Sequence, residues 1–483
     1  MNQSAAEVLP TGVRGLDDVL LGGLMPRGIY FIGGAPGTGK TTLGLQFLIE
    51  GRDRGEKTLF VTLSQSESDL NRVAASHGFD LDGIEIEAVP AVQMADAPGL
   101  RQTVLNPDDA DLSAAIATLN EIVGQSKAER VVIDSLFEIR LLAHDALTYR
   151  RELLLLRNVV ASIGATALML DYSDGDLGDR QIEGLVNGAI MLEQDNPDYG
   201  TTIRRLHVSK MRGRKFIEGH HNLTIRTGGL AVFPRVVPGA TREHATSAEV
   251  ASGIPGLDQM MAGGLALGTT CLITGESGTG KSTLSTAYAS AAAEGGSTAA
   301  MFLFEERLGV FRQRSTDLGF DIREMEEDGR LHLRHFDPAE KSPGEFLQSV
   351  VDLVEKESVD VVVIDSLSGA LAAHPAGSDM ITQMQSLLSY LSRQGVLTIV
   401  TLTEAGRLGG ELSPAIQIGC FADSAILLRN ERVDDELRRT LLVLKKRQGD
   451  HETRVRTLLI GDRSVDVVSA SEARRSKPHL SVM

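Results

Sequence analysis

The chain has 483 residues, 42% of them hydrophobic and only 4% aromatic, with no Trp and a formal net charge of −17. Such a length suits two to three domains with aliphatic cores. The acidic balance argues against non-specific nucleic-acid binding, which needs basic patches.

Met1–Pro10 has neither a basic segment nor an apolar run, so no secretory signal is read there. The two cysteines, Cys271 and Cys420, each fall in an apolar run and read as buried thiols, which suits a reducing cytoplasm. Next come Thr11-Gly12-Val13-Arg14-Gly15-Leu16-Asp17 and Gly22-Gly23-Leu24, then a predicted strand over Ile29–Ile32. The strand runs into Gly34-Ala35-Pro36-Gly37-Thr38-Gly39-Lys40-Thr41, followed by Thr42 and a helix-like stretch. This is the G-x-x-x-x-G-K-[ST] phosphate loop in its strand–loop–helix setting. Gly34, Gly37 and Gly39 let backbone N–H groups, with those of Thr38 and Thr42, curl around phosphate where a Cβ would collide. The helix N-terminus faces the anion, Lys40 reaches the terminal phosphates, and Thr41 offers a hydroxyl to Mg²⁺.

Ser64-Gln65 stands 24 residues after Lys40, at the end of the β-rich run Phe60–Leu63. Ile116, Leu119 and Val123 have helical spacing and precede Val131-Val132-Ile133-Asp134-Ser135. Asp134 ends an apolar run, where a carboxylate can hold Mg²⁺ opposite the loop hydroxyl or can cap the next helix. A phosphate loop in the same half favours the metal role. Leu153–Leu170 is interrupted by Arg157 and Asn158 and reads as a buried helix followed by a strand, not a membrane span. Lys210 and Arg212 follow another β-rich run. A polar stretch over Pro234–Val250 then reads as a linker.

Beyond the linker the order repeats. Ser252-Gly253-Ile254-Pro255-Gly256-Leu257-Asp258 and Gly263-Gly264-Leu265 precede a second loop, Gly275-Glu276-Ser277-Gly278-Thr279-Gly280-Lys281-Ser282, followed by Thr283. Gly275, Gly278, Thr279, Gly280, Lys281, Ser282 and Thr283 take the roles of their counterparts. Val362-Val363-Ile364-Asp365-Ser366 repeats the first Asp-ending strand, and Lys445 and Arg447 repeat Lys210 and Arg212. Four blocks in one order mean a tandem duplication. Leu347, Val350, Val351 and Val354 predict a helix before a strand over Val359–Ile364. Apolar strands alternating with amphipathic helices predict an α/β fold in each half, a mostly parallel sheet covered by helices on both faces. The predicted division is 1–237, 238–470 and a short basic tail, 471–483.

The halves part at one position. Glu305-Glu306 stands 24 residues after Lys281, where the first half has Ser64-Gln65. A carboxylate there can orient and deprotonate an attacking water. The first half lacks one at this position, and Glu67, three residues on, is the nearest substitute. Hydrolysis is therefore expected mainly in the second half.

These blocks together resemble the KaiC family, the double-domain ATPases of the RecA superfamily. The match runs from about Leu9 to Val468. Its markers include Phe304-Glu305-Glu306 and Lys210-Met211-Arg212-Gly213-Arg214-Lys215-Phe216 with Glu218-Gly219. The resemblance implies two RecA-like P-loop NTPase domains in tandem and a homohexamer of two stacked rings. It implies ATP with Mg²⁺ at the subunit interfaces. Glu305 and Glu306 would be the catalytic carboxylates, with Lys281 at the phosphates. Thr41, Asp134, Ser282 and Asp365 would serve Mg²⁺, and Lys210, Arg212, Lys445 and Arg447 would be trans-acting cations. Three departures stand out: Ser64-Gln65 replaces a Glu pair, the usual phosphoacceptor pair reads Gly419-Cys420, and the tail after Val468 is short and basic. The resulting expectation is a signalling ATPase whose nucleotide state gates an unidentified protein partner. The alternatives are a serine/threonine kinase acting on itself or on another protein, with Ser413 or Ser424 as conceivable acceptors, a RecA-like DNA motor, and a nucleotide-stabilised scaffold.

Overall fold

The computed structural model describes residues 8–89, 107–143, 145–173, 182–196, 202–237, 248–372, 377–403, 421–433 and 436–475. The chain divides into two compact units, one running to Arg235 and one beginning at Val236. The expected short tail begins inside a helix, Ala470–Arg475.

In the first unit the strands are β1 (Ile29–Gly34), β2 (Thr58–Thr62), β3 (Glu85–Ala88), β4 (Arg130–Asp134), β5 (Thr166–Asp171), β6 (Gly188–Asp195), β7 (Ile203–Met211), β8 (His221–Arg226) and β9 (Gly229–Phe233). They form one sheet in the order β3-β2-β4-β5-β1-β6-β7-β8-β9. The first six positions are parallel, and β7, β8 and β9 are added antiparallel.

In the second unit β10 (Glu249–Val250) and β11 (Leu265–Ala266) pair with each other. The strands β12 (Thr270–Gly275), β13 (Ala299–Leu303), β14 (Leu331–His335), β15 (Val361–Asp365), β16 (Leu397–Thr403), β17 (Ser424–Val433), β18 (Glu436–Lys446), β19 (Arg456–Gly461) and β20 (Ser464–Val468) follow. Their order, β14-β13-β15-β16-β12-β17-β18-β19-β20, repeats that of the first sheet. The chain is thus an α/β tandem of RecA-like architecture.

The strand sequences explain why both faces are covered. Along β1, Ile29 and Phe31 join one apolar layer while Tyr30 and Ile32 join the other. Along β15, Val361 and Val363 pack on one face, and Val362 and Ile364 on the other. Successive side chains alternate across a sheet, so a continuous apolar run needs helices on both sides. Burying each such side chain contributes roughly 1.5–3 kcal/mol.

The helices obey local rules. Ser342 and Glu345 form a reciprocal capping box, with Pro343 in the first turn of Pro343–Glu357, the helix expected from Leu347, Val350 and Val354. Leu153–Leu170 resolves into a helix, Ala146–Ile163, and the buried strand β5. No helix among the described residues is long and apolar enough to cross a membrane.

The parallel order brings the carboxyl ends of β1, β2, β4 and β5 to one edge of the first sheet, and those of β12, β13, β15 and β16 to the matching edge of the second. That edge is where ligands bind in such folds.

Candidate nucleotide sites

Each phosphate loop leaves the central strand of its sheet and enters a 14-residue helix, Lys40–Asp53 or Lys281–Glu294. Gly39 and Gly280 sit just before these helices at φ 102° and 101°. The left-handed backbone suits glycine, and a Cβ on Gly39 would lie 2.6 Å from Ile225 Cδ1. Thr38 donates to Ala35 O and Thr279 to Glu276 O, both at 2.8 Å, so these buried hydroxyls shape the loop from inside.

The lysines are held alike. Lys40 Nζ donates to Gly34 O at 2.6 Å and Ala35 O at 2.9 Å. Lys281 Nζ donates to Gly275 O at 2.9 Å and Glu276 O at 2.8 Å. Burial pulls the Lys40 ammonium below its ordinary value, and the carboxylates of Asp134 and Asp171 oppose that shift.

Thr41 Oγ1 donates to Asp134 Oδ2 at 2.6 Å, so the carboxylate meets the loop hydroxyl. The helix-cap reading of Asp134 fails, because Ser135 occupies the N-cap of Leu136–Leu141. In the second unit Ser282 bonds Asp365, and Thr401 Oγ1 adds a 2.5 Å bond to Asp365 Oδ1. Burial raises the pKa of both aspartates. The bond from Thr41 and the charge of Lys40 oppose it at Asp134. The bonds from Thr401 and Ser282 and the charge of Arg314 oppose it at Asp365. A buried carboxylate beside a hydroxyl offers oxygen donors to a hard divalent cation, whose charge would offset the cost of burial. The residues present therefore fit Mg²⁺.

A cavity of about 750 Å³ opens over the first loop, and one of about 470 Å³ over the second. The second brings together Lys281, Ser282, Thr283, Asp365 and the Glu305-Glu306 pair. Glu305 Oε1 accepts a 2.6 Å bond from Ser366 Oγ, while Glu306 is gripped by Arg314 through Nε at 3.0 Å and Nη2 at 2.8 Å. The first cavity gathers Lys40, Thr41, Thr42 and Asp134, with Ser64 and Gln65 at the position of the Glu pair. Glu67 is not a substitute: it opens the helix Glu67–His77, is exposed, and does not line the cavity.

Sequence reasoning missed several lining residues. Arg204 on β7 and Arg439 on β18 line their own clefts at matching positions, and Arg439 Nε donates to Gly278 O at 3.2 Å. His77 and Glu138 line the first cleft. The repetition of an Arg six residues before Lys210 and before Lys445 was the available signal.

Lys210, Arg212, Lys445 and Arg447 line neither cleft. Lys210 donates to Glu183 O, Arg212 to Gly184 O at 2.8 Å, Lys445 to Ala422 O at 2.5 Å, and Arg447 pairs with Asp423 at 3.4 Å. A β-bulge precedes the cations at the same place in both units, where β6 meets β7 and where β17 meets β18. Cys271 is fully buried, and burial raises its thiol pKa to about 12. Cys420, Gly419 and Ser413 lie outside the described residues.

The family model described as "ATPase: KaiC" matches residues 9–237 and again 250–472. Among curated relatives, the circadian clock oscillator protein KaiC of Prochlorococcus marinus is 28% identical over 470 residues, 94% of this chain and 91% of that protein. The circadian clock protein KaiC3 of Synechocystis sp. is 28% identical over 95% of this chain and 92% of its own. The KaiC protein of Synechococcus elongatus is also 28% identical, over 95% and 88%.

Proposed function

The chain belongs to the KaiC family of ATPases, and from that premise we propose that it binds MgATP in both units and hydrolyses it mainly in the second. The observation that carries this reading is the Glu305-Glu306 pair in one cleft with Lys281, Ser282 and Asp365.

On ATP arrival Lys281 exchanges the carbonyls of Gly275 and Glu276 for terminal phosphate oxygens. The Gly-rich loop and the N-terminus of Lys281–Glu294 cradle the remaining anionic oxygens. Ser282 and Asp365 would hold Mg²⁺, which would supply neutralisation of phosphate charge. Glu305 orients a water in line with the γ-phosphate and takes its proton. Among the described residues its one hydrogen bond, from Ser366, engages Oε1 and leaves Oε2 open toward the cleft. Arg439 lies in the same cleft, able to compensate phosphate charge.

Lys210, Arg212, Lys445 and Arg447 act in trans on a neighbouring subunit's nucleotide within a homohexamer. Their repetition at matched positions, just beyond a β-bulge in each unit, supports this role. Nucleotide state then gates binding of a signalling partner in the cytoplasm. The kinase alternative loses one acceptor, since Ser424 is 4% exposed on β17.

The test is steady-state ATP hydrolysis by wild type beside Glu305→Gln/Glu306→Gln. Loss of most turnover in the double variant is expected. Turnover close to wild type would refute the assignment.

A further inference from the structure

The first cleft has a carboxylate of its own, delivered from a different element. In the second unit Glu305 lies against Gly369 of the helix Leu367–Ala372. A Cβ on Gly369 would stand 3.1 Å from Glu305 Cγ and 3.3 Å from Oε1. A large side chain at that helix position and a Glu at the strand end therefore compete for one space. The first unit exchanges the two. Ser64 stands where Glu305 stands, 24 residues after the loop lysine, and Glu138 stands where Gly369 stands, four residues after the strand-ending Asp.

Glu138 lies on the helix Leu136–Leu141, anchored by fully buried Leu136 and Ile139, and it lines the cleft with Lys40, Thr41 and Asp134. Among the described residues it has no ion pair or hydrogen bond, whereas Arg314 holds Glu306.

We propose that Glu138 is the catalytic carboxylate of a second hydrolytic site in the first unit. It takes the proton of a water whose oxygen bonds to the γ-phosphorus as the bond from that phosphorus to the β–γ bridging oxygen breaks, leaving ADP and inorganic phosphate. The proposal rests on the reading of both clefts as ATP sites, and it accounts for whatever turnover remains without the Glu pair.

The test adds Glu138→Gln to the Glu305→Gln/Glu306→Gln protein. The residual kcat should fall at least tenfold, as expected on losing a general base, with KM for ATP little changed. Moving the carboxylate back, with Ser64→Glu and Glu138→Gly together in the same background, should restore turnover and shows that the fold survives. The proposal is overturned if the double variant has no measurable turnover, or if Glu138→Gln leaves its residual rate intact. High turnover in the double variant sinks only the assignment of hydrolysis mainly to the second unit, and Glu138→Gln still decides the role of Glu138.

A separate observation lies on the outer antiparallel strands. Glu193 of β6, His207 of β7 and His220 converge so that their ligand atoms all lie within 4.8 Å of one another. His207 Nδ1 is 3.2 Å from Glu193 Oε1, and His220 Nε2 is 3.6 Å from Oε2. His207 Nδ1 is buried, and its approach to Glu193 does not meet hydrogen-bond geometry, so the nitrogen lacks a proper partner. These separations suit the edges of a tetrahedron around zinc, about 3.3 Å for metal–ligand bonds near 2.0–2.1 Å. Adjacent His221 does not compete, since its Nδ1 accepts from Arg235 N and its Nε2 donates to Ile217 O.

We infer that the triad binds a zinc-class cation. Nucleotide-free, chelator-treated protein titrated with Zn²⁺ should bind one equivalent that is lost in His207→Ala and in His220→Ala. Binding no different from that of these variants overturns the inference.

Discussion

Arg314 grips Glu306 with two hydrogen bonds, while among the described residues its neighbour Glu305 accepts one, from Ser366. The two carboxylates are therefore held differently: Arg314 takes both oxygens of Glu306, while Ser366 takes only Oε1 of Glu305. A carboxylate with both oxygens engaged by a guanidinium has none left to meet a water, whereas one with an open oxygen can be reached by it. Glu305→Gln should lower kcat by about 10²-fold or more, as expected for a general base. Glu306→Gln should cost about tenfold or less. Steady-state rates of the two single variants, with KM for ATP measured alongside, check the order.

Thr401 is a buried donor to a buried carboxylate. Burial raises the pKa of Asp365, and the bonds from Thr401 and Ser282 restrain it. Removing the hydroxyl in Thr401→Val moves the pKa further up. A proton and Mg²⁺ compete for the same oxygens, so the variant should need more Mg²⁺, and the excess should grow as pH falls. Mg²⁺ titrations of the ATPase rate at about pH 8 and about pH 6 read this directly.

His221 is fully buried, and burial pushes its pKa down to about 4. Its unfolded form takes up a proton near pH 6.5 while the folded form does not. The contribution is whole above about pH 6.5 and is lost as pH falls toward about 4, up to about 3 kcal/mol in all. The half-buried His207, also shifted down by burial, adds with the same sign. Urea denaturation across that range should show falling stability, and His221→Gln should flatten the slope.

Arg130 is fully buried in a place where the second unit has the apolar Val361. It meets Glu56 at 2.5 Å, donates to Pro10 O at 2.8 Å and Phe47 O at 3.0 Å, and lies 4.7 Å over the Phe47 ring. Arg130→Ala strands the Glu56 carboxylate and two carbonyls and should cost about 3–5 kcal/mol. Denaturant midpoints of wild type and variant measure it.

The parts of the site that were legible in the sequence are those built from contiguous residues. A phosphate loop announces itself because its chemistry is backbone chemistry over eight positions, and Asp134 and Asp365 because each directly follows an apolar β-rich run. The two-layer core was legible for the same reason. Arg204 and Arg439 were hidden because strand alternation does not reveal which end of a strand reaches the cleft. Glu138 was hidden because a comparison at the Ser64 position asks whether a carboxylate is lost there, not whether one has moved to an adjacent helix. Glu67 misled because nearness along the chain is not nearness in space: Ser66 and Asp69 cap a helix that leaves it facing solvent.

The repeated bulge has a mechanical consequence. Arg204 and Lys210 share β7, six residues or about 20 Å apart at the usual strand rise. A strand hydrogen-bonded into its sheet resists stretching, so a push at Arg204 by arriving phosphate would travel along it with little loss. A bulge is the point where such a strand bends most readily, and it lies immediately before Lys210. β18 has the same layout between Arg439 and Lys445. In each unit, therefore, the Arg that lines the cleft and the Lys beyond the bulge ride on one strand, and the bulge is the point at which that strand would bend were one end displaced.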